Sequence, residues 1–280
     1  MVEQPGANID PRTVEGFGEE WAAFDQRALR DEELEALFAS YFSIFPFEEL
    51  PPRAEGFDLG CGSGRWARLV APKVGRLHCI DPSPKALEVA RRSLADCRGA
   101  DLHCAPVSDI PLADGSQDFG YALGVLHHVP DPEAGLASCV RKLKPGAPFL
   151  LYLYYALDNR PRWYRALWSL SDILRRGISK LPFPVRLRLS SVIAAIAYYP
   201  LARAARLAER HGVDVEGIPL SAYRNLSFYT MRTDALDRFG TRLERRFSRG
   251  EIEAMMRRSG LGEIVFSDRS PFWLACGRKS

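Results

Sequence analysis

The stretch Phe57-Asp58-Leu59-Gly60-Cys61-Gly62-Ser63-Gly64-Arg65-Trp66-Ala67 constrains this chain more than any other. A short apolar run carries an acid, glycines follow at alternate positions, and a helix-like pattern begins at once. The pattern predicts a strand running straight into a helix, through a turn whose missing β-carbons let a ligand lie against the backbone. The helix start adds N–H groups without intrahelical partners and a partial positive field. Nucleotide sites of open α/β sheets lie at such crossings. The spacing narrows the choice. A dinucleotide turn reads G-x-G-x-x-G, but the residue three beyond Gly62 is Arg65, and the third glycine comes early, at Gly64. That spacing disfavours a nicotinamide oxidoreductase.

A second block, Leu77-His78-Cys79-Ile80-Asp81, ends seventeen residues after Gly64 and leads through Pro82-Ser83-Pro84 into an amphipathic run with Ala86, Leu87, Ala90 and Leu94 on one face. This reads as a second strand, a turn and a helix. A carboxylate at that strand end can accept hydrogen bonds from both hydroxyls of a ribose. The plainer account is a helix cap on Asp81 or Ser83. A third block runs from Ala105-Pro106-Val107-Ser108-Asp109 through Asp114-Gly115-Ser116-Gln117-Asp118-Phe119 to Val125-Leu126-His127-His128-Val129.

Asp58-Leu59-Gly60-Cys61-Gly62-Ser63-Gly64 resembles the first motif of class I S-adenosylmethionine-dependent methyltransferases, and the later blocks are similar to that family's in the same order over residues 55–155, as in a type 11-like domain. The resemblance implies S-adenosylmethionine as cofactor. It would lie on Asp58, Gly60, Cys61, Gly62 and Gly64, with Asp81 and Pro82 at its ribose and Gly124 and Val125 beyond the fourth strand. Pro106 replaces the family's usual acid, so adenine contacts would fall to Val107, Ser108 and Asp109. The string Phe17-Gly18-Glu19-Glu20-Trp21-Ala22-Ala23-Phe24 resembles a lead-in that lies over the cofactor cleft, where Trp21 would be an apolar wall. Trp21 and Phe24 serving only as anchors for a helix is the other reading.

Strands are expected near 55–59, 77–80, 101–105, 118–123 and 148–154, with helices between, which predicts an α/β, Rossmann-like, doubly wound and mostly parallel sheet. Strand-like runs return only at 263–266 and 272–277 to complete seven strands, the last antiparallel in the family. A gap of about 100 residues is too long for a structureless loop. It predicts a large helical cap inserted between strands five and six, with helices near 162–179, 184–209 and 233–239, then a helix capped by Ser248 and ending at Gly260. The expected divisions are 1–50, a flexible arm (residues 1–16) and helical lead-in; 51–157, the cofactor-binding core; 158–249, the cap; and 250–280, the helix and strands closing the sheet.

With 280 residues, 46% apolar and 26% charged, the chain can bury a full core. The first sixteen residues lack the apolar core of a leader. Six cysteines stand singly at 61, 79, 97, 104, 139 and 276, with no C-x-x-C pair, which predicts reduced thiols in a cytoplasmic protein and no bound metal. The formal charge of +3 hides an asymmetry: residues 158–249 carry about +10 and the remainder about −7. Those arginines are a solvated helical surface, or a field for an anionic substrate or membrane surface. Residues 189–201 are the most apolar of the cap and too short to span a bilayer. A buried cap helix is the expected account, an interfacial membrane helix the alternative.

Methyl transfer needs the acceptor held in line with the sulfonium, water excluded, and a base where the acceptor is a hydroxyl or ammonium group. His127 and His128 follow the fourth strand, and His128 is the candidate base. Tyr154, with Tyr152 and Tyr155, lies on or beyond the fifth strand toward the acceptor cleft. Thr241, Leu243, Arg245 and Phe247 stand where a similar family string carries Pro, Tyr, His and His, so Arg245 or Arg242 would clamp an acceptor carboxylate or phosphate. The catalytic candidates are His128, Tyr154 and Arg245. The expected function is methylation of oxygen, nitrogen or carbon on a small or amphipathic metabolite. An inactive methyltransferase-like binding module is the rival. Nucleic acid is not expected as a partner, because Leu123-Gly124-Val125-Leu126 stands where an Asn/Asp-Pro-Pro-Tyr motif would. The sequence sets no oligomeric state.

Overall fold

The computed structural model describes residues 8–280. Its strands are β1 (Glu55–Leu59), β2 (Arg76–Asp81), β3 (Ala100–Cys104), β4 (Phe119–Leu123), β5 (Pro148–Tyr152), β6 (Leu261–Phe266) and β7 (Leu274–Lys279). The helices are α1 (Pro11–Ala23), α2 (Asp31–Tyr41), α3 (Ala67–Val70), α4 (Pro84–Ser93), α5 (Pro132–Lys142), α6 (Arg162–Ile178), α7 (Phe183–Ile193), α8 (Tyr199–Arg210), α9 (Phe228–Gly240) and α10 (Arg249–Arg258). They form two compact units, one of residues 1–25, 36–156 and 243–280, the other of 26–35 and 157–242.

The first unit holds one seven-stranded sheet of order β3-β2-β1-β4-β5-β7-β6. β1 to β5 are parallel, while β7 runs antiparallel to β5 and β6. The strand order reverses between β1 and β4, so their carboxyl ends part and leave a crevice there. Strands buried on both faces lose alternation, and β1, β2, β4 and β5 are almost wholly buried. Local chemistry starts each flanking helix. The Ser83 hydroxyl accepts from the Ala86 N–H with Pro84 at the first turn of α4, and the Asp131 carboxylate does the same for Ala134 in α5. Ser248 and Glu251 form a reciprocal capping box on α10.

Two glycines set the spacing of β1 and β4. Gly56 faces Phe119 in register, and Phe57 faces Gly120. A β-carbon on Gly56 would lie 2.4 Å from the Phe119 ring, and one on Gly120 2.5 Å from the Phe57 ring. Both rings are fully buried, so neither can swing away. Gly120→Ala is expected to lower stability by about 1–3 kcal/mol, the scale of overpacking, as a reduced midpoint in urea. An unchanged midpoint would show that the pair can separate.

The lead-in departs from expectation. Residues 1–7 lie outside the described part, but 11–16 are helical rather than an arm. The Asp10 carboxylate accepts from Thr13 N–H at 2.7 Å and Pro11 opens α1 with its fixed φ. α1 lies against α4 because Gly18 has no β-carbon; one there would sit 2.5 Å from Ser83 Oγ.

In the second unit α9 packs against α6 and α7. Ile178, Ala194, Tyr198, Ala202, Met231, Ala235 and Phe239 form its core. α7 and α8 run on without a break through a π-helical turn over Ala194–Tyr198. The widened turn accommodates Pro200, whose ring and missing N–H would disturb a regular helix. Residues 26–35 join this unit rather than the lead-in. Their Glu33 accepts from the Ser227 N–H at 2.9 Å and the Thr230 hydroxyl at 2.6 Å, at the start of α9. Residues 243–249 fall in the first unit instead of the cap. The Phe247 N–H donates to the Tyr154 carbonyl and the Ala156 N–H to the Phe247 carbonyl, both at 2.8 Å, which extends the edge of β5.

Candidate active site

The crevice beyond β1 and β4 opens into a hollow of about 770 Å³, its mouth included. Leu59 and Gly60 at the end of β1, Asp81, Pro82 and Ser83 at the end of β2, and Leu123, Gly124 and Val125 at the end of β4 form its floor. Val107, His128 and Val129 close one side, and Ile9 and Asp10, with Thr13, Val14, Phe17 and Trp21 from α1, cover it. A mostly apolar lining with a few polar groups suits a small-molecule ligand.

Asp81 is buried at the floor. Its Oδ2 accepts from the Gly62 N–H at 3.0 Å and its Oδ1 from the Ser83 N–H at 2.8 Å. Burial raises its pKa to about 6, against the opposing pull of those two amides. Each oxygen keeps a second lone pair for a ligand hydroxyl. The carboxylate thus pins the glycine turn and also lines the hollow.

The glycine turn works differently from expectation. Gly60, Gly62 and Gly64 all have positive φ, which glycine adopts without strain. Protein groups, however, meet their missing β-carbons. Val125 Cγ2 stands 2.3 Å from where one on Gly60 would be, Trp21 Nε1 2.7 Å from one on Gly62, and Leu94 3.2 Å from one on Gly64. Only Gly60 reaches the hollow; Gly62 seats Trp21, and Gly64 lets the turn pack on α4. Trp21 thus both walls the hollow and anchors its helix.

Asp58 and Cys61 are buried and do not line the hollow. Asp58 pairs in register with Tyr121. Burial raises its pKa to about 8, with the Tyr121 hydroxyl opposing and the Asp81 charge adding. It is mostly protonated at neutral pH. Cys61 is held as a thiol, its pKa pushed well up by a hydrogen bond with Cys79 and by burial. Of Val107, Ser108 and Asp109 only Val107 lines the hollow. Ser108 Oγ accepts from the Asn8 N–H at 3.3 Å, and Ser108 and Asp109 are exposed. Gly124, Val125 and Pro82 line the hollow.

His128 is buried on the lining, and its Nδ1 donates to the Leu243 carbonyl at 2.7 Å. That bond fixes the tautomer and makes Nε2 the basic nitrogen. The Phe17 ring packs on it, with centroids 4.8 Å apart. His127 lies behind it, fully buried and stacked on Tyr154 at 3.9 Å. Burial, then the charges of His128 and Arg246, hold its pKa well below the ordinary value, so it stays neutral.

Tyr154 therefore contacts His127 and not the hollow, with the Arg246 guanidinium 5.2 Å from its ring centroid. Arg245 is also displaced. Its backbone N–H donates to the His127 carbonyl at 3.2 Å, while its side chain lines a separate hollow with Glu133, Glu251 and Arg258. The hydrogen bonds from the irregular segment 243–247 to the two histidines are made by backbone, through the Leu243 carbonyl and the Arg245 N–H. The sequence reading missed Asp10, Thr13 and Phe17; Asp10-Pro11 followed by Thr13, Phe17 and Trp21 at helical spacing was the available signal.

A sheet of this order with a hollow at the reversal of its strands defines the Rossmann-like methyltransferase class of fold. Residues 57–151 match the family model described as Methyltransferase domain, and this core belongs to the class I S-adenosylmethionine-dependent methyltransferases. The chain is 31% identical over 165 residues to a ubiquinone biosynthesis O-methyltransferase of Paracidovorax citrulli, an alignment spanning 55% of this chain and 64% of that one. It is 36% identical over 104 residues to an uncharacterised 37.1 kDa protein in transposon TN4556 of Streptomyces fradiae, spanning 36% and 30%. The chain thus covers less than two thirds of either relative. A Haloferax volcanii chain solved in complex with the Trm112 methyltransferase activator shares the fold, with a TM-score of 0.51 and 18% identity over 94% of this chain and 96% of that one.

Proposed function

We propose that this protein binds S-adenosylmethionine in the hollow and transfers its methyl group to a small or amphipathic metabolite, through oxygen, nitrogen or carbon. The observation that carries this reading is the Asp81 carboxylate, buried at the floor with a lone pair left on each oxygen, beside the backbone of Gly60 and the apolar wall of Val107. These residues fit an adenosine: the acid for the sugar hydroxyls, Val107 and Val129 for the flat base. Asp58, Cys61, Gly62 and Gly64 support the turn from behind instead of touching the ligand. The cofactor supplies an electrophilic methyl carbon on a sulfonium.

α1 excludes water from the hollow through Phe17 and Trp21, which strengthens every polar contact inside it. His128 is the proposed base, accepting an acceptor proton at Nε2 while the Leu243 carbonyl holds its other nitrogen. The ubiquinone relative suggests a hydroxyl acceptor; the wider reading keeps nitrogen and carbon. Tyr154 and Arg245 are assigned no contact with the reacting groups, Tyr154 instead holding His127 in place.

Incubation with methyl-labelled S-adenosylmethionine and a metabolite extract is expected to yield a labelled product small enough to pass a dialysis membrane. Cofactor binding without any labelled product across extracts would favour the inactive binding module.

A further inference from the structure

The second unit turns the wrong face of its helices outward. On α6, Trp163, Leu167, Leu170 and Leu174 recur at helical spacing on one face, with Ile173 beside them. All are exposed, Leu170 at 65% and Ile173 at 69%. The buried side of α6 carries an ion pair, Asp172 with Arg175, beside Ile178 of the core. Arg175 Nε donates to Asp172 Oδ1 at 2.6 Å, Arg238 of α9 stands 3.6 Å from the same oxygen, and Arg175 Nη1 donates to the Thr241 carbonyl at 3.0 Å. The following helix repeats the pattern. Val185, Leu189, Val192, Ile196 and Tyr199 form an exposed stripe, with Ile196 at 71%, whereas Ser190, Ala194, Tyr198 and Ala202 are buried.

Charge says what covers these stripes. From Arg162 to Arg210 the chain carries ten basic side chains and two acidic ones. One of those acids, Asp172, is bound by Arg175 and Arg176. Arg162, Arg165, Arg176, Lys180 and Arg188 are exposed around the apolar residues. A second copy packed face to face would bring two such positive fields together, which disfavours self-association. No helix among the described residues is long and apolar enough to cross a membrane. Apolar stripes edged by cations on helices of this kind suit the boundary between headgroups and acyl chains of an anionic bilayer.

We propose that the second unit docks through the outward stripes of α6 and α7 on the surface of an anionic lipid bilayer. This inference stands on the surface of that unit alone and is independent of the reading of the hollow.

Co-sedimentation of the full chain with vesicles tests it. Binding is expected to vesicles of phosphatidylcholine containing phosphatidylglycerol, to fall as salt is raised, and to be far weaker with phosphatidylcholine alone. Leu170→Gln with Ile173→Gln is expected to cut binding to the anionic vesicles by about tenfold or more, since each removes apolar area from the interface. Arg162→Glu with Arg165→Glu should do the same through charge. All four side chains are exposed, so thermal melting of both variants should match the parent. Should either fail to fold, Val192→Gln with Ile196→Gln gives the same reading from α7. Absence of binding to anionic vesicles would overturn the proposal, as would undiminished binding by folded variants. A concentration-dependent dimer abolished by Leu170→Gln with Ile173→Gln would also overturn it, assigning the face to a second copy.

Discussion

His128→Asn is expected to lower kcat by about 10²–10⁴-fold with any hydroxyl or ammonium acceptor, the usual worth of a positioned base. Asparagine is chosen because its side-chain amide can still donate to the Leu243 carbonyl, as Nδ1 of His128 does at 2.7 Å. The tether survives while the basic nitrogen is lost. Affinity for S-adenosylhomocysteine should change little, because the proposed contact to its sugar is Asp81 and not His128. If turnover persists unchanged, His128 is scaffold and the base lies elsewhere. His127 does not substitute, being fully buried and stacked on Tyr154.

Asp58→Asn is expected to stabilise the protein, and more so as pH rises. Burial holds the Asp58 carboxyl at a pKa of about 8, far above the value of 3.8 for a free side chain. Below pH 4 the group is protonated whether the chain is folded or unfolded, so it has no effect on stability. Between pH 4 and 8 the unfolded chain releases the proton and the folded chain keeps it. Stability from this group therefore falls with rising pH, by at most about 1.4 kcal/mol for each pH unit. Asparagine removes the titration, so the gap in melting temperature between variant and parent should widen across that window. A constant gap would mean that Asp58 is ionised in the fold. Asp81, at about 6, should add a smaller loss of the same sign, confined to pH 4 to 6.

The sheet was legible because its signals are local. Glycines at 60, 62 and 64 and the acids at 58 and 81 mark strand ends, and five parallel strands begin and end within two residues of where the pattern puts them. What glycine does at each position was not legible. The partners of Gly62 and Gly64 come from Trp21 and Leu94, which no local spacing reveals. Arg245 shows the same limit in another form. Residues 243–247 follow no regular period, so nothing in the string says which side chains turn inward, and the histidines take backbone contacts instead. The cap was recognisable as helical, but the direction of its apolar stripes was not. Residues 189–201 have the composition of a buried helix, and only packing on α9 decides that Ala194 and Tyr198 go in while Val192 and Ile196 stay out.

The most direct measurement is calorimetric titration of S-adenosylhomocysteine into the parent and into Asp81→Ala, with melting curves to confirm that both are folded. If the buried acid at the end of β2 holds the sugar, the parent binds and the variant loses about 1–3 kcal/mol of affinity, the scale for hydrogen bonds to a charged group. A folded variant that binds as tightly as the parent, or a parent that takes up no heat at millimolar ligand, would contradict the account.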